Sequence, residues 1–516
     1  MKKLVLFGLS LLLVMSFAFS VNAKTLKVGL AADPVSLDPQ VQLSGGMLQY
    51  AHWAFDPLVR WTKDGKFEPR LATKWERINK YRVRFYLREG VKFHSGNTFT
   101  AKDVKWSFDR MKKSVDFKGL LEPFVGIGVI DDYTVDVVTT KPYPLLLNMA
   151  TYFFAMDSEF YTGTDENGQP KDACVKTTHT FANGNESGTG VFVVKSYEQG
   201  VKTVFTRFND YWDKASPGNV DTFILLPIKE NATRVAALLS GDVDVIDQVP
   251  PQDYKRLESD GKVELITVNQ GRIITFQMNP DRVDAFQDAR VRNAVVYAVN
   301  NAGIVKKIMK GTVEVAAQQS PPGYAGYKAS LKPRYDLSKA RALMKEAGYD
   351  KGFDITMMAP NNRYVNDAKI AEATAQMLAK IGIRVNLKTM PKAQYWDQFD
   401  ARAADMMMIG WHSDTEDSGN FSEFLVMCPN KDTGFGQYNS GYCNKKVDEL
   451  TIAAQSEIDP AKRTKMLQEI EQILYDDAAF VPYHWQSLAY GAKQNFKFEP
   501  IINAQNFPYF GDLVIQ

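Results

Sequence analysis

The chain has 516 residues, with 62 Lys and Arg against 60 Asp and Glu, and 45% of its residues are hydrophobic. This length corresponds to about three or four domains, and the composition is that of a globular protein rather than a disordered chain. The balanced charge provides no basic surplus for a phosphate backbone, so nucleic acid is not expected as a partner.

The first 23 residues have the pattern of a secretory signal peptide. Lys2 and Lys3 precede an almost wholly apolar run at 4–19, and Val21 and Ala23 occupy the two positions that a signal peptidase reads. The run falls short of the roughly 20 residues that span a bilayer, which favours a cleaved signal over a membrane anchor. Cleavage would remove two lysines and no acid, leaving 493 residues with no net charge.

The sequence predicts a periplasmic location for the mature chain. No cysteine lies near the cleavage site, and no later stretch approaches 18 unbroken apolar residues. We therefore expect neither a lipoprotein anchor nor a membrane span. A cell retains such an exported protein only behind an outer barrier, which indicates the periplasm of a two-membrane bacterium, with secretion to the medium as the alternative.

The three cysteines are too few for a disulfide framework, a zinc ribbon or an iron–sulfur site. An oxidising compartment nevertheless permits a disulfide. Cys428 and Cys443 are 15 positions apart in a segment rich in Gly, Asn and Ser, and they are the predicted pair. Closing that loop would stabilise the fold by roughly 3 kcal/mol in the chain-entropy model. Cys174 is predicted to be a free thiol in a loop.

The first part of the mature chain mixes strand and helix patterns. Residues 81–88 alternate apolar and charged side chains, which is typical of a half-buried strand. Thr100, followed three positions later by Asp103, resembles the capping box that begins a helix. In chain order, the predicted elements are a strand at Thr25–Leu30, a strand at 81–88, a helix at 101–112, a strand at Thr134–Thr139 and a polar surface loop at 166–187.

The second part of the chain is more helical. Glycines at 241, 348 and 382 end helical patterns, while Asp336 and Asp459 are predicted N-caps. The predicted helices are Asn231–Ser240, 290–301, 336–348, 367–381 and 461–476, and the predicted strands are 243–247 and 383–388. Mixed helices and strands indicate an α/β or α+β fold, and periodicity alone goes no further.

Motifs of catalysis and metal binding do not support an enzyme. The sequence contains no HExxH, GxSxG, GxxxxGK[ST] or CxxC. Its five histidines are widely separated, and no two of them have metal-ligand spacing. We therefore predict no catalytic residue, no metal site and no cofactor, although catalytic groups can also come together from distant positions.

One cluster is unusual: Gly-Trp-His-Ser-Asp-Thr-Glu-Asp at 410–417 follows the apolar run at 406–409. An aromatic side chain beside carboxylates suits a ligand with an ammonium group, through charge-assisted hydrogen bonds and cation–π contact. The same residues also fit a surface loop with a half-buried tryptophan and solvated acids, and spacing does not decide between the two.

The most specific motifs follow one another early in the chain: Leu-Ala-Thr-Lys-Trp-Glu at 71–76, the alternating strand at 81–88, Glu-Gly-Val-Lys-Phe-His-Ser-Gly at 89–96 and Thr-Ala-Lys-Asp-Val-Lys-Trp-Ser-Phe at 100–108. Further matches follow in order at 36–39, 188–190, 209–212, 241–244, 288–292, 297–298, 340–348 and 410–411. Over essentially all of the mature chain, the sequence resembles the dipeptide/oligopeptide family of solute-binding proteins that serve ABC importers (extracellular solute-binding proteins, family 5).

This resemblance implies a two-lobed α/β periplasmic-binding-protein (Venus-flytrap) fold, with two strands crossing at the hinge and an extra domain inserted in the first lobe. By similarity, lobe one would hold 24–60, 188–278 and 489–516, the inserted domain 61–187, and lobe two 279–488. A ligand in the cleft would favour the closed state. The implied partners are a solute and the membrane permease with its cytoplasmic ATPases, and the protein is expected to be a monomer.

The resemblance also implies ligand-binding residues. Asp414 matches the acid that accepts hydrogen bonds from a peptide α-ammonium, with Gly410, Trp411 and His412 on the same wall. Arg363 is the candidate for the ligand carboxylate, with a surface arginine as its alternative reading. By the same resemblance, Gly45, Gly46 and Met47 would approach the ligand backbone.

Short peptides are the leading expectation for the ligand. The family also includes binders of nickel chelates, haem, glutathione, oligosaccharides and opines, and His412 beside Asp414 keeps a metal chelate as an alternative. The other classes considered are a secreted hydrolase and a periplasmic interaction protein, such as one that presents a ligand to a chemoreceptor or acts as a chaperone.

Overall fold

The computed structural model describes residues 23–175, 179–413, 415–430 and 434–516. The predicted signal peptide, apart from Ala23, and the candidate ligand residue Asp414 therefore lie outside the described residues. In the part of the chain that is described, no helix is both long enough and apolar enough to cross a membrane.

The chain up to residue 187 contains β1 (Thr25–Leu30), α1 (Gly45–Ala54), β2 (Val59–Trp61), β3 (Phe67–Pro69), β4 (Ala72–Asn79), β5 (Arg82–Leu87), α2 (Ala101–Met111), β6 (Phe124–Asp131), β7 (Thr134–Thr139), α3 (Leu146–Ala150) and α4 (Phe181–Gly184). The alternating strand is confirmed as β5, whose residues alternate between half-buried and buried. The capping box is also confirmed: the Thr100 N–H donates to Asp103 (2.9 Å) and the Lys102 N–H donates to Thr100 (3.3 Å).

The prediction of a surface loop over 166–187 is wrong at its C-terminal end. Ala182 and Ser187 are buried there. The Glu186 carboxylate accepts a hydrogen bond from the Gly188 N–H (2.5 Å) and lies 2.6 Å from Nδ1 of His94. These contacts compensate the buried charge, so a polar stretch can pack inside the fold.

The next part of the chain contains β8 (Phe192–Glu198), β9 (Lys202–Arg207), β10 (Thr222–Pro227), α5 (Asn231–Ser240), β11 (Val245–Ile246), α6 (Tyr254–Glu258), β12 (Val263–Met278), α7 (Ala289–Ala298), α8 (Asn301–Lys307) and β13 (Glu314–Val315). The helix predicted at 290–301 is α7, which ends earlier, at Ala298, before a separate helix α8. Asn300 separates them, because its side chain accepts a hydrogen bond from the Gly303 N–H (2.7 Å) and so begins α8.

The remaining elements are α9 (Leu337–Glu346), β14 (Phe353–Pro360), α10 (Asp367–Ala379), β15 (Ile383–Met390), α11 (Lys392–Asp400), β16 (Met406–Trp411), α12 (Ser418–Leu425), α13 (Lys445–Ala454), α14 (Pro460–Asp476) and β17 (Phe480–Lys493). Both predicted aspartate caps are confirmed: Asp336 accepts from the Lys339 N–H, and Asp459 accepts from the Ala461 N–H.

A large mixed sheet runs through the molecule in the order β15-β14-β16-β12-β17-β11-β1-β10-β9-β8, with β13 beside β17. The long antiparallel pair β12 and β17 joins its two halves. The pairing shifts between Asn269 and Arg272, and Gly271 has φ +66 at this bulge, a backbone conformation that glycine adopts without strain. A separate antiparallel sheet has the order β4-β5-β7-β6, and β2 pairs with β3.

The hydrophobic core is divided along this sheet. One cluster packs around β1, α1 and the four-stranded sheet, and a smaller one lies under α5 and α6. Two further clusters cover β14 and β16, one containing α7, α9 and α10 and the other containing α12, α13 and α14. Strands β14 and β16 therefore lie between two layers of helices, as in α/β folds, while the edge strand β15 leaves one face exposed.

The predicted disulfide is confirmed, because Cys428 and Cys443 are bonded. Cys174 is free, as predicted, but it is buried, with its Sγ 3.6 Å from the Gln40 carbonyl. Burial raises the pKa of this thiol to about 11, so it is protonated at neutral pH.

Candidate functional site

The candidate site lies at one edge of the sheet, where parallel strands end. β14 pairs in parallel with β15 and with β16, so their carboxyl ends meet at the same edge. Arg363 follows β14, and residues 412–417, here called the β16 loop, follow β16. Ligands of open α/β sheets bind at this edge, outside the carboxyl ends of the strands. The structure thus places two predicted parts of the site together.

Gly410, near the end of β16, contacts the segment that follows β14. Its carbonyl accepts hydrogen bonds from the Tyr364 hydroxyl (3.2 Å) and from Nη1 of Arg272 (3.3 Å). A side chain at Gly410 would place its Cβ 2.5 Å from Cδ1 of Ile274 and 2.7 Å from the Tyr364 ring, so the close approach requires glycine. The residue predicted as part of a ligand wall therefore has a packing role as well.

Trp411 is held in one orientation by its neighbours. Its Nε1 donates to Oδ1 of Asn420 (2.8 Å), and its ring lies 4.8 Å from that of Tyr438 and 5.2 Å from that of Phe424. The side chain is half-buried. The ring is thus part of a fixed aromatic surface beside the β16 loop.

Arg363 lies next to the tyrosine that contacts Gly410. Its guanidinium is 4.9 Å from the centre of the Tyr364 ring, and its main-chain N–H donates to Asp367 (2.9 Å). Nε of Arg363 is buried and makes no hydrogen bond to any residue that the structure describes. A half-buried guanidinium with an unused donor can serve an anionic group, such as a carboxylate.

His412 belongs to a polar chain that the sequence did not reveal in full. Its Nε2 lies 2.9 Å from Oε1 of Glu416, and the other Glu416 oxygen accepts a hydrogen bond from the Tyr324 hydroxyl. Burial and the Glu416 carboxylate raise the pKa of Tyr324 well above its usual value. Nδ1 of His412 is buried and has no hydrogen-bond partner within the described ranges. This series of polar contacts joins His412, the first residue of the β16 loop, to Glu416 near the end of the loop.

The three residues predicted at the start of α1 differ in exposure. Gly45 and Gly46 are exposed in the first helical turn, and a Cβ added to Gly46 would meet no atom within 4 Å. The N–H groups of a first turn have no partner within the helix and can bind a ligand. Met47 is only 2% exposed and packs in the first core cluster. A ligand contact for these three residues stays a prediction.

A contact from the first part of the chain reaches the β16 loop. The Asn148 side chain, in α3, donates to the main-chain carbonyl of Thr415 (2.7 Å). Nearby, burial and the carboxylates of Glu423 and Asp417 raise the pKa of Tyr143. Thr415 of the β16 loop is therefore in contact with α3, an arrangement that no local sequence pattern indicates.

Two other features of the molecule do not form the site. Among the described residues, one group of side chains has metal-ligand geometry, namely Cys428, Cys443 and Asp448, but the disulfide occupies both sulfurs. A cavity of about 630 Å³ lies at the C-terminal segment, beside Arg60. Arg60 is already bonded there to Glu68 and Asp512, and none of the predicted ligand-binding residues that the structure describes lines this cavity.

Comparison with known proteins gives consistent matches along the chain. The family model "Bacterial extracellular solute-binding proteins, family 5 Middle" matches residues 66–433. The dipeptide-binding protein of Escherichia coli (strain K12) is 30% identical over 505 residues, covering 91% of each chain.

Solved structures match this protein over nearly its full length. HbpA2 from Haemophilus parasuis superposes with a TM-score of 0.83 at 23% identity, covering 95% of this chain and 100% of that chain. A dipeptide-binding protein from Pseudoalteromonas sp. SM9913, in complex with Met-Leu, gives a TM-score of 0.75 at 22% identity, covering 92% and 96%. At these identities the structural likenesses show the fold alone, which is the two-lobed α/β fold. The match of the family model and the 30% identity show that the chain belongs to the family 5 bacterial extracellular solute-binding proteins.

Proposed function

We propose that the mature protein captures short peptides in the cleft between its two lobes and delivers them to an ABC-type permease in the membrane. Removal of residues 1–23 would release it into the periplasm as a monomer. The observation that carries the proposal is the hydrogen bond of the Tyr364 hydroxyl to the Gly410 carbonyl, which joins the segment after β14 to the end of β16. Arg363 directly precedes Tyr364 in the chain, and Asp414 follows Gly410 by four positions, which supports a shared site.

The proposed roles follow from the charges of a zwitterionic peptide. Asp414 accepts hydrogen bonds from the α-ammonium, and Arg363 binds the α-carboxylate. Trp411 and His412 form the wall beside the ammonium, while Gly45 and Gly46 offer main-chain N–H groups to the peptide backbone. Side chains of different peptides are accommodated through water.

The proposed lobes follow the division of the large sheet. Lobe one comprises 24–60, 188–278 and 489–516, the inserted domain 61–187, and lobe two 279–488. The pair β12 and β17 forms the hinge between the lobes, which is supported by its position between the two halves of the sheet. The ligand shifts a pre-existing equilibrium toward the closed state, because it contacts both lobes only there.

Calorimetric titration with Met-Leu and with N-acetyl-Met-Leu tests the role of Asp414. The Asp414→Ala variant is expected to bind Met-Leu more weakly by about 2–5 kcal/mol, the usual cost of removing one partner of a buried charge pair. Asp132→Ala, an exposed aspartate, serves as the matched control and is expected to bind like the wild type. Unchanged affinity of Asp414→Ala would exclude the proposed role.

A metal chelate is the second candidate ligand, and one observation favours it. Nδ1 of His412 is buried and makes no hydrogen bond to the described residues, so it could bind a metal ion held by a chelator. Titration with a nickel–histidine complex tests this candidate: binding that His412→Ala abolishes would support it. Binding of Met-Leu alone would leave the peptide proposal in place.

A further inference from the structure

A buried ion pair between Arg463 and Asp417 anchors the end of the β16 loop. Nη1 and Nη2 of Arg463, in α14, each donate to a different carboxylate oxygen of Asp417, both at 2.6 Å. The two side chains are 8% and 7% exposed. Arg463 also donates through Nε to the Ala454 carbonyl at the end of α13 (2.9 Å), so its guanidinium is fixed at all three nitrogens.

Asp417 connects this ion pair to α12 and to Ser413 by further hydrogen bonds. Its carboxylate caps α12 by accepting from the Gly419 N–H (2.8 Å). Its main-chain N–H donates to Oγ of Ser413, and the Ser413 hydroxyl donates to the Asp417 carbonyl, both at 2.9 Å. Ser413 is buried and directly precedes Asp414. The last residue of the β16 loop therefore holds the residue next to the candidate ammonium acceptor.

We infer that Arg463 is a positioning residue for ligand binding, which holds Asp417 and, through it, Ser413, the residue that precedes the proposed ammonium acceptor in the chain. The inference rests on the proposed function. Arg463 does not bind the ligand; it fixes Asp417 and Ser413 before the ligand arrives, so that less conformational freedom is lost on binding. Because Asp417 uses both oxygens toward the guanidinium, the planar fork of arginine is required, and the single ammonium of lysine cannot replace it.

The test compares Met-Leu with N-acetyl-Met-Leu on the wild type and on Arg463→Lys. In the wild type, we expect Met-Leu to bind more tightly than the acetylated peptide, since only Met-Leu presents an ammonium. In Arg463→Lys, we expect the affinity for Met-Leu to fall by about tenfold or more, the usual effect of removing a group that orients a binding residue. The affinity for the acetylated peptide should change little, so the preference for the free amine falls.

The control separates this effect from a general loss of stability. Arg384→Lys alters an arginine–aspartate pair of the same type, with Asp354, but this pair is exposed. It should leave the preference unchanged. A purely structural role of Arg463 would lower the unfolding temperature and leave the ratio of the two affinities as in the wild type, and that result would overturn the inference.

A second variant keeps the test decisive if Arg463→Lys does not fold. The double variant Asp417→Asn, Arg463→Gln removes both charges and so leaves no unpaired buried ion. It should show the same loss of preference, and a retained preference would overturn the inference. If the wild type itself does not distinguish the two peptides, the proposed function fails, and the inference fails with it. If the wild type does and the variants retain the preference, the inference alone fails.

Discussion

The buried carboxyl group of Glu471 should make the stability of this protein fall as the pH rises. Glu471, in α14, is 1% exposed. It accepts hydrogen bonds from the main-chain N–H groups of Gln319 (3.2 Å) and Ser320 (2.8 Å), and from the Ser320 hydroxyl. Burial outweighs these bonds and raises the pKa of Glu471 from 4.5 to about 7.

The sign and size of the effect follow from linkage. A pKa that is higher in the folded state means that the folded protein holds its proton while the unfolded chain has already lost it. The corresponding stability is fully present below pH 4.5 and is lost as the pH rises to about 7. The shift of about 2.5 units corresponds to about 3 kcal/mol at 1.36 kcal/mol per unit.

The substitution Glu471→Gln tests this reasoning, because glutamine imitates the protonated carboxyl group at every pH. Urea unfolding of the wild type and the variant is measured from pH 4 to pH 9. The variant should gain about 3 kcal/mol relative to the wild type between the two ends of this range, whatever its stability at pH 4. Glu469→Gln, an exposed position on the same helix, should show no such gain. A pH-independent difference for Glu471→Gln would refute the argument.

Three further predictions concern the site and the fold. Asn148→Ala removes the hydrogen bond to the Thr415 carbonyl without touching a ligand, so it should weaken the binding of every ligand by the same factor, about 2- to 12-fold, measured by calorimetry. A factor that differs between ligands would contradict the view that Asn148 acts only through its contact with Thr415. Gly410→Ala forces a Cβ against Ile274 and the Tyr364 ring and should cost about 1–3 kcal/mol of stability, measured by thermal unfolding; an unchanged midpoint would contradict it. Reduction of the Cys428–Cys443 disulfide should lower stability by roughly 3 kcal/mol, measured by urea unfolding with and without reductant; equal curves would contradict it.

Sequence reasoning succeeded where the signal was local. The helix Asn231–Ser240 was predicted with its bounds because Gly241 ends it, and Gly241 adopts φ +87. The caps at Asp336 and Asp459 were predicted for the same reason, since a cap bonds to N–H groups only two or three positions away. The disulfide was predicted because one pair of cysteines lies in a short polar segment.

Sequence reasoning failed where two local signals competed or where the contact was distant. The pattern of the helix predicted at 290–301 did not show that α7 ends at Ala298 or that Asn300 begins a further helix, α8. Tyr324 and Asn148 reach the β16 loop from positions 92 and 267 residues away in the chain. No spacing rule connects residues at such separations, because the fold of the whole chain brings them together. Arg463 lies in the helix predicted at 461–476, but the sequence did not indicate that Asp417 is its partner.

The central claim is that a short peptide binds in the cleft and the lobes close over it. Calorimetry and small-angle X-ray scattering on the same sample test it most directly, with Met-Leu as the probe. The account predicts binding of one peptide per protein and a smaller radius of gyration in the saturated sample. No heat of binding with peptides of two to five residues, together with an unchanged radius of gyration, would contradict it.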